Sequence, residues 1–360
     1  MKLRVPDYYE EFHCIADACQ DSCCVGWEIN IDEDTYDFYS SVEGELGERL
    51  ACNMYDTGEG EHSFRLVEHG RCPFLNQKNL CDICIELGDA ALSEVCTEYP
   101  RFTTWCDSLC QKCLSLSCEE VGRILFTRRD PVQLVEYVYG AEEHDEERSG
   151  ETLLSIAMYR MIALMQNRSF SIEERMKGAL SYGRTLQEWW SAEEPEEEVP
   201  CFDQNMINLV DEQQEEMVKY SYTGFEKRRN ILEEMEVLGE EWQKQKMCMK
   251  SEITSKTYQG LMHDFCRSTC YRAERYEQLM GYFLFRYWMN AFYDGNVYGK
   301  TLLAVEFTMM IQEMDALRYR QRGGVFTMED EVDLARIFSK EVEHSEENIS
   351  FAEEELLFWG

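Results

Sequence analysis

Apolar positions after residue 150 recur with helical spacing. Leu154, Ala157, Met158, Met161 and Met165 fall at i, i+3, i+4 and i+7 intervals and form one apolar stripe. Ser171 and Glu174 have the spacing of a capping box ahead of another helix. Residues 203 to 250 are rich in Glu, Gln, Lys and Met and hold no proline, which predicts long amphipathic helices. Leu279 to Met289 is apolar nearly all round, as in a central helix buried on every side. Thr327 followed by Asp330 is an N-cap signal for a last long helix, on which Leu334, Phe338 and Val342 form a core-facing row.

The first 125 residues lack such periodicity. They predict short helices and loops wrapped round a metal, with Trp27-Glu28-Ile29-Asn30-Ile31 as a short strand. Asp130 to Gly150, with Glu142-Glu143-His144-Asp145-Glu146-Glu147, is polar and reads as a connector; Glu193 to Pro200 reads as a second acidic linker. The expected fold is therefore mainly α. A cysteine-rich, metal-binding N-terminal lobe (1–125) precedes an acidic connector (126–150) and an α-helical bundle domain (151–360).

Cysteine changes the picture most. Thirteen of the 17 cysteines precede residue 119. They open with Cys14-x4-Cys19-x3-Cys23-Cys24 and continue through Cys72, Cys81, Cys84, Cys96, Cys106, Cys110, Cys113 and Cys118. Thiolate is a soft ligand that suits zinc and iron–sulfur clusters. The competing disulfide reading belongs to small secreted domains, whereas Met1 to Glu10 carries no apolar h-region. No run of about eighteen apolar residues occurs, so no membrane span is expected. The expected compartment is the reducing cytoplasm.

A formal charge of −36 makes nucleic acid a poor partner, because phosphate binding relies on Lys and Arg. It favours a basic partner such as a lysine-bearing protein. Two rival spacings stand beside the main motif. Cys81-x-x-Cys84 with Cys110-x-x-Cys113 has zinc-knuckle pairing, and Cys106-x3-Cys110-x2-Cys113 has the spacing of radical S-adenosylmethionine enzymes. No Gly-rich nucleotide fingerprint is present; Thr57-Gly58-Glu59-Gly60-Glu61 lacks the strand-then-helix setting.

Taken in order, the motifs resemble the flagellin lysine-N-methylase family. They are Cys14-x4-Cys19-x3-Cys23-Cys24-x-Gly26-Trp27, Gly70-x-Cys72-Pro73-Phe74-Leu75, Cys81, Leu87-Gly88, Cys96-x-x-Tyr99-Pro100-Arg101 and Leu114-Ser115-Leu116-Ser117-Cys118. In the helical part the resemblance continues through Tyr282-Phe283-Leu284-Phe285-Arg286-Tyr287, Tyr293-Asp294-Gly295, and Ile337 to Ser345 with Asn348. It implies methyl transfer from S-adenosylmethionine to lysine side chains of flagellin. It also implies an iron–sulfur cluster, of the [4Fe–4S] type, in the cysteine lobe.

Eight cysteines match the family pattern as metal ligands: Cys14, Cys19, Cys23, Cys24, Cys72, Cys81, Cys96 and Cys118. A [4Fe–4S] cluster uses four. Cys23 and Cys24 are adjacent and are expected to point in different directions. Free lysine has a pKa of about 10.4, so methylation by displacement requires loss of a proton. The catalytic candidates are Glu341 and His344, three apart and so on one helical face, with Tyr282, Tyr293 and Asp294 as a second set. The S-adenosylmethionine site is unassigned. Zinc remains the alternative metal, and a metal-binding scaffold or redox sensor without methyl transfer remains the alternative function.

Overall fold

The computed structural model describes residues 1–58, 61–139, 149–192 and 198–359. Its strands are β1 (Lys2–Pro6), β2 (Asn30–Ile31), β3 (Met54–Asp56), β4 (His62–Phe64), β5 (Arg101–Cys106), β6 (Leu109–Leu114) and β7 (Leu134–Val138). The lobe helices are α1 (Glu33–Ser40), α2 (Gly44–Asn53), α3 (Asp82–Leu87), α4 (Glu94–Glu98) and α5 (Glu119–Thr127). There follow α6 (Gly150–Met165), α7 (Ile172–Trp190), α8 (Glu212–Val218), α9 (Tyr222–Glu234), α10 (Glu240–Glu252) and α11 (Tyr258–Cys266). The chain closes with α12 (Ala273–Tyr287), α13 (Ala291–Asp294), α14 (Val297–Gln321), α15 (Met328–Val342) and α16 (Glu346–Trp359).

The protein is mainly helical, as expected, but its N-terminal part carries two sheets that the periodicity did not announce. One is β2-β4-β3; the other has the order β5-β6-β1-β7. In the second, β5 and β6 form an antiparallel hairpin, and β1 runs parallel to β6 with Lys2 opposite Leu109. β6 is buried at five of its six positions, so it shows no polar–apolar alternation and hides from a period-two reading. The strand expected at Trp27–Ile31 shrinks to Asn30–Ile31.

Two apolar cores result. Ile29, Tyr39, Leu50, Phe64, Phe74 and Ile83 belong to the first. The second gathers the helices but also takes Tyr8, Leu109, Leu114, Leu116, Val121 and Leu125 from the N-terminal region. The four-stranded sheet thus packs against the helical bundle. α12 is buried along most of its length, as expected, yet the most enclosed helix is α14, every residue of which is buried from Val297 to Leu317. Its buried acids are matched: Arg228 on α9 donates to Glu313 at 2.6 and 3.0 Å and to Glu306 at 3.2 Å.

Local signals set the helix starts. Ser171 and Glu174 form the expected capping box on α7, and Thr327 with Asp330 forms one on α15. Two lengths differ from expectation. Residues 203–250 break into the shorter α8, α9 and α10, the break before α9 being capped by Ser221. α15 ends at Val342 and is followed by α16, so it is not the last helix. Of the expected connector, residues 134–138 form β7; residues 140–148, with the acidic run from Glu142 to Glu147, lie outside the described residues, as do residues 193–197 of the second linker and Glu59-Gly60. No described helix is long and apolar enough to cross a membrane.

Candidate functional site

The hairpin β5–β6 delivers the short loop Ser115–Ser117 to the junction of lobe and bundle. Pro100 O accepts from Ser115 N at 2.6 Å and anchors the loop to the Tyr99-Pro100 segment. The bundle grips the loop from the other side. Leu116 N donates to Tyr282 Oη at 3.2 Å, and His344 Nε2 lies 2.8 Å from Ser117 Oγ and 3.2 Å from Ser115 Oγ. Tyr99 Oη is 3.1 Å from Ser117 Oγ, which extends the network to the cysteine side.

Around His344 the lobe builds an aromatic wall. The ring centroids of Trp27, Phe102 and Tyr99 lie 4.8, 5.1 and 6.2 Å from that of His344. Trp27 is placed by its indole, which donates to Cys23 O at 2.9 Å, and by Gly26 before it. Gly26 has φ +96°, a left-handed conformation that disfavours any side chain, and a Cβ there would meet Lys340 at 3.4 Å. Lys340 Nζ sits 4.9 Å over the Trp27 ring and donates to Asp21 at 2.8 Å. Burial, together with the nearby Arg286 and Lys340 cations, pushes the His344 pKa down to about 4. The imidazole is therefore neutral at physiological pH.

Glu343 completes the floor of the junction. Tyr282 and Tyr287 donate to its carboxylate at 3.0 Å. Burial raises its pKa, opposed by a bond from Ser339, the charge of Arg286 and the two tyrosines. Arg286 itself stacks on Phe102, its guanidinium carbon 3.7 Å from the ring centroid.

The structure separates the sequence-predicted site residues. Tyr282 and His344 meet at the Ser115–Ser117 loop. Glu341 does not join them: its carboxylate accepts from Leu238 N at 2.8 Å and caps the entry to α10. The reason is the end of α15 at Val342, which takes His344 off the helix and voids the shared-face argument. Asp294 is exposed at the end of α13 and pairs with Lys300 at 2.6 Å. Tyr293 is exposed and donates to Trp105 O.

The eight matched cysteines fall in two neighbourhoods. Cys24, Cys72, Cys81 and Cys96 share the first apolar core. A 2.8 Å bond from Cys72 N to Cys24 O and the bridge of Leu75 to Cys81 hold three of them together. Cys14, Cys19, Cys23 and Cys118 form the other set, at the junction. Cys19 feels the charge of Cys118 and Cys14, and Cys23 that of Cys14 and Cys118. Tyr99 in turn feels Cys118 and Cys23, so this set adjoins the aromatic wall. Burial lifts Cys19 and Cys72 to about 12 and Cys96 and Cys118 to about 11.

Cys24 packs against the first core, whereas Cys23 neighbours Cys14 and Cys118. The proximity of the two thiols lowers the pKa of Cys24 to about 7 and raises that of Cys23. Among the described residues no three Cys, His, Asp or Glu side chains form a ready-made single-ion site. Four thiols in each group match in type and number the donors that a [4Fe–4S] cluster takes.

The rival cysteine spacings are not assembled. Cys110 and Cys113 stand three apart on β6 and so project from opposite faces. Cys106 donates to Met289 O at 3.4 Å, and Cys84 donates to Asp89 at 2.7 Å. Neither the radical-type loop nor the zinc-knuckle pairing forms. Trp27, Tyr99, Phe102, the two serines and Arg286 had no assigned role from sequence. Trp27, Tyr99 and the serines belong to the same ordered motifs as the cysteines and Arg286 to the motif in α12, whereas Phe102 follows Arg101 outside any motif.

Residues 159–358 match the model of the FliB lysine N-methylase C-terminal domain. The chain is 30% identical over 139 residues to a lysine-N-methylase of Salmonella typhimurium, covering 36% of this chain and 34% of that protein. It thus spans about a third of the length of the lysine-N-methylases it matches. It is equally similar, over 36% of this chain, to the flagellar biosynthetic protein FliU of Salmonella muenchen, of which 80% is covered. No solved structure matches.

Proposed function

The chain belongs to the FliB lysine N-methylase family, and from that premise we propose that it transfers methyl groups from S-adenosylmethionine to lysine side chains of flagellin in the cytoplasm. The observation that carries the reading is the junction itself. A half-buried aromatic wall, a neutral histidine and two cations meet there, beside a set of four thiols.

In the reaction the lysine nitrogen uses its lone pair to form a bond to the methyl carbon. The carbon–sulfur bond breaks, its electron pair stays on sulfur as S-adenosylhomocysteine, and the amine gives up its proton to solvent water. His344 is ill-suited to remove that proton from a free ammonium. With a pKa of about 4 against about 10.4, the transfer is uphill by about 9 kcal/mol. The surroundings do the work instead. Trp27, Tyr99 and Phe102 partly shield the site from water, which disfavours an ammonium. Arg286 and Lys340, which already depress His344, disfavour a further positive charge in the same way. His344 orders Ser115 and Ser117 and keeps the wall uncharged. Glu341 serves the α10 cap, and Asp294 its pair with Lys300, so neither is placed in the chemistry.

Cys14, Cys19, Cys23 and Cys118 are the residues that would hold a [4Fe–4S] cluster next to this site. An iron–sulfur cluster supplies a rigid, redox-active cross-link between its thiolates. Cys24, Cys72, Cys81 and Cys96 lie in the first core, where a thiol also packs as a small hydrophobe. The acidic surface of the chain attracts lysine-bearing segments, an effect screened beyond about 8–10 Å at ordinary salt.

Full-length protein purified without oxygen and mixed with S-adenosylmethionine and flagellin should produce methyl-lysine, read by mass spectrometry. Turnover should rise towards alkaline pH, because only the neutral amine attacks. Iron-replete protein that leaves flagellin unmodified would point to the scaffold reading instead.

A further inference from the structure

Arg286 lies in the last turn of α12. Its Nε is buried without a hydrogen-bond partner, as are those of Arg128, Arg175 and Arg229, but the guanidinium of Arg286 also makes no other hydrogen bond or ion pair among the described residues. Every other buried or half-buried arginine of the described residues has a hydrogen bond or an ion pair. Arg228 holds Glu306 and Glu313, Arg175 holds Glu277, Arg4 holds Glu136, and Arg336 holds Asp21 and Asp333. Acid is abundant, with 71 Asp and Glu against 35 Lys and Arg. Yet the acid nearest to Arg286 in the junction, Glu343, spends its oxygens on Tyr282 and Tyr287.

A guanidinium that is half-buried and has no acceptor is incompletely compensated. Stacking on Phe102 at 3.7 Å and near Tyr287 at 5.0 Å offsets part of this but supplies no acceptor for the N–H groups. The planar fork of a guanidinium matches a carboxylate, which it binds through two parallel bonds. The same Phe102 ring that carries Arg286 on one side packs against His344, and Trp27 follows beyond. A ligand engaged by Arg286 would therefore lie along the aromatic wall.

We infer that Arg286 is the anchor for the carboxylate of the methyl donor, fixing the methionyl end of S-adenosylmethionine at the junction. This rests on the proposed methyl transfer and adds the binding residue to it. The other source of a carboxylate is an acidic side chain beside the target lysine on the protein substrate. The donor is favoured because it brings one carboxylate attached to a flat adenosyl group, which can stack along an aromatic wall.

The test compares S-adenosylhomocysteine, which has the carboxylate, with 5′-methylthioadenosine, which lacks it. Binding of each to anaerobically purified full-length protein is measured by calorimetry. The native protein should bind the first at least about tenfold more tightly, the scale of one charged hydrogen-bonded pair. Arg286→Gln should abolish that preference and leave methylthioadenosine binding unchanged, with iron content as in the native protein. Arg286→Lys, which keeps the charge but not the fork, should fall between.

A native protein that binds both compounds equally overturns the inference without any variant, which covers the case in which Arg286→Gln does not fold. Full S-adenosylhomocysteine affinity in Arg286→Gln also overturns it, while leaving the methyl-donor reading intact. Unchanged donor binding with a raised KM for flagellin would assign Arg286 to the protein substrate, again against the inference. If the native protein binds neither compound, the donor reading itself fails, and this assignment with it.

Discussion

His344→Gln isolates the physical state of the junction. Glutamine keeps a hydrogen-bonding group within reach of Ser115 and Ser117 but cannot titrate. In the native protein the His344 pKa is pushed from 6.5 down to about 4 by burial and by Arg286 and Lys340. Above pH 6.5 neither the folded nor the unfolded chain protonates this residue, and native and variant differ by a constant. Below it the unfolded chain takes up a proton that the folded chain refuses. The native protein then loses about 1.4 kcal/mol per pH unit relative to the variant. The loss should reach about 3 kcal/mol by about pH 4 and level off below. Urea unfolding of both proteins, followed by tryptophan fluorescence between roughly pH 7 and pH 4, yields the two stability curves. Carboxylates titrate in both proteins, so their contribution cancels in the difference. Parallel curves would refute the reasoning, since they would mean that His344 protonates freely in the folded state and that the wall is wet.

The two thiol sets should respond differently to serine. Cys19→Ser or Cys118→Ser should lower bound iron and sulfide in anaerobically purified protein, whereas Cys96→Ser should retain them and lower thermal stability; equal iron content in all three would defeat the division. Glu341→Ala should remove the cap on α10 and cost about 1–2 kcal/mol in unfolding experiments. The folded fraction should keep its kcat, and a tenfold drop there would return Glu341 to the chemistry.

Much of this protein was legible in the chain itself. Helical periodicity after residue 150, the capping boxes at Ser171 and Thr327, and the apolar run in α12 are local features, and local features survive in any tertiary setting. The cysteine count and motif order likewise announced the lobe. α14 was harder to read, because Lys300, Glu306, Gln312, Glu313 and Asp315 interrupt its apolar pattern. Their burial is tolerable only because distant partners such as Arg228 and Tyr276 meet them. β6 was hidden for the opposite reason, being buried on both faces.

The site depended on tertiary structure almost entirely. Trp27, Tyr99, Ser117, Arg286 and His344 are far apart in sequence, and nothing local orients them towards one another. Glu341 and His344 looked like neighbours at three residues' distance, but the helix stops between them and sends each to a different partner. Cys23 and Cys24, adjacent in sequence, go to different groups of thiols. Residue type and spacing determined which chemistry was available. Long-range packing decided which groups were dry, which were charged, and which guanidinium was left without an acid.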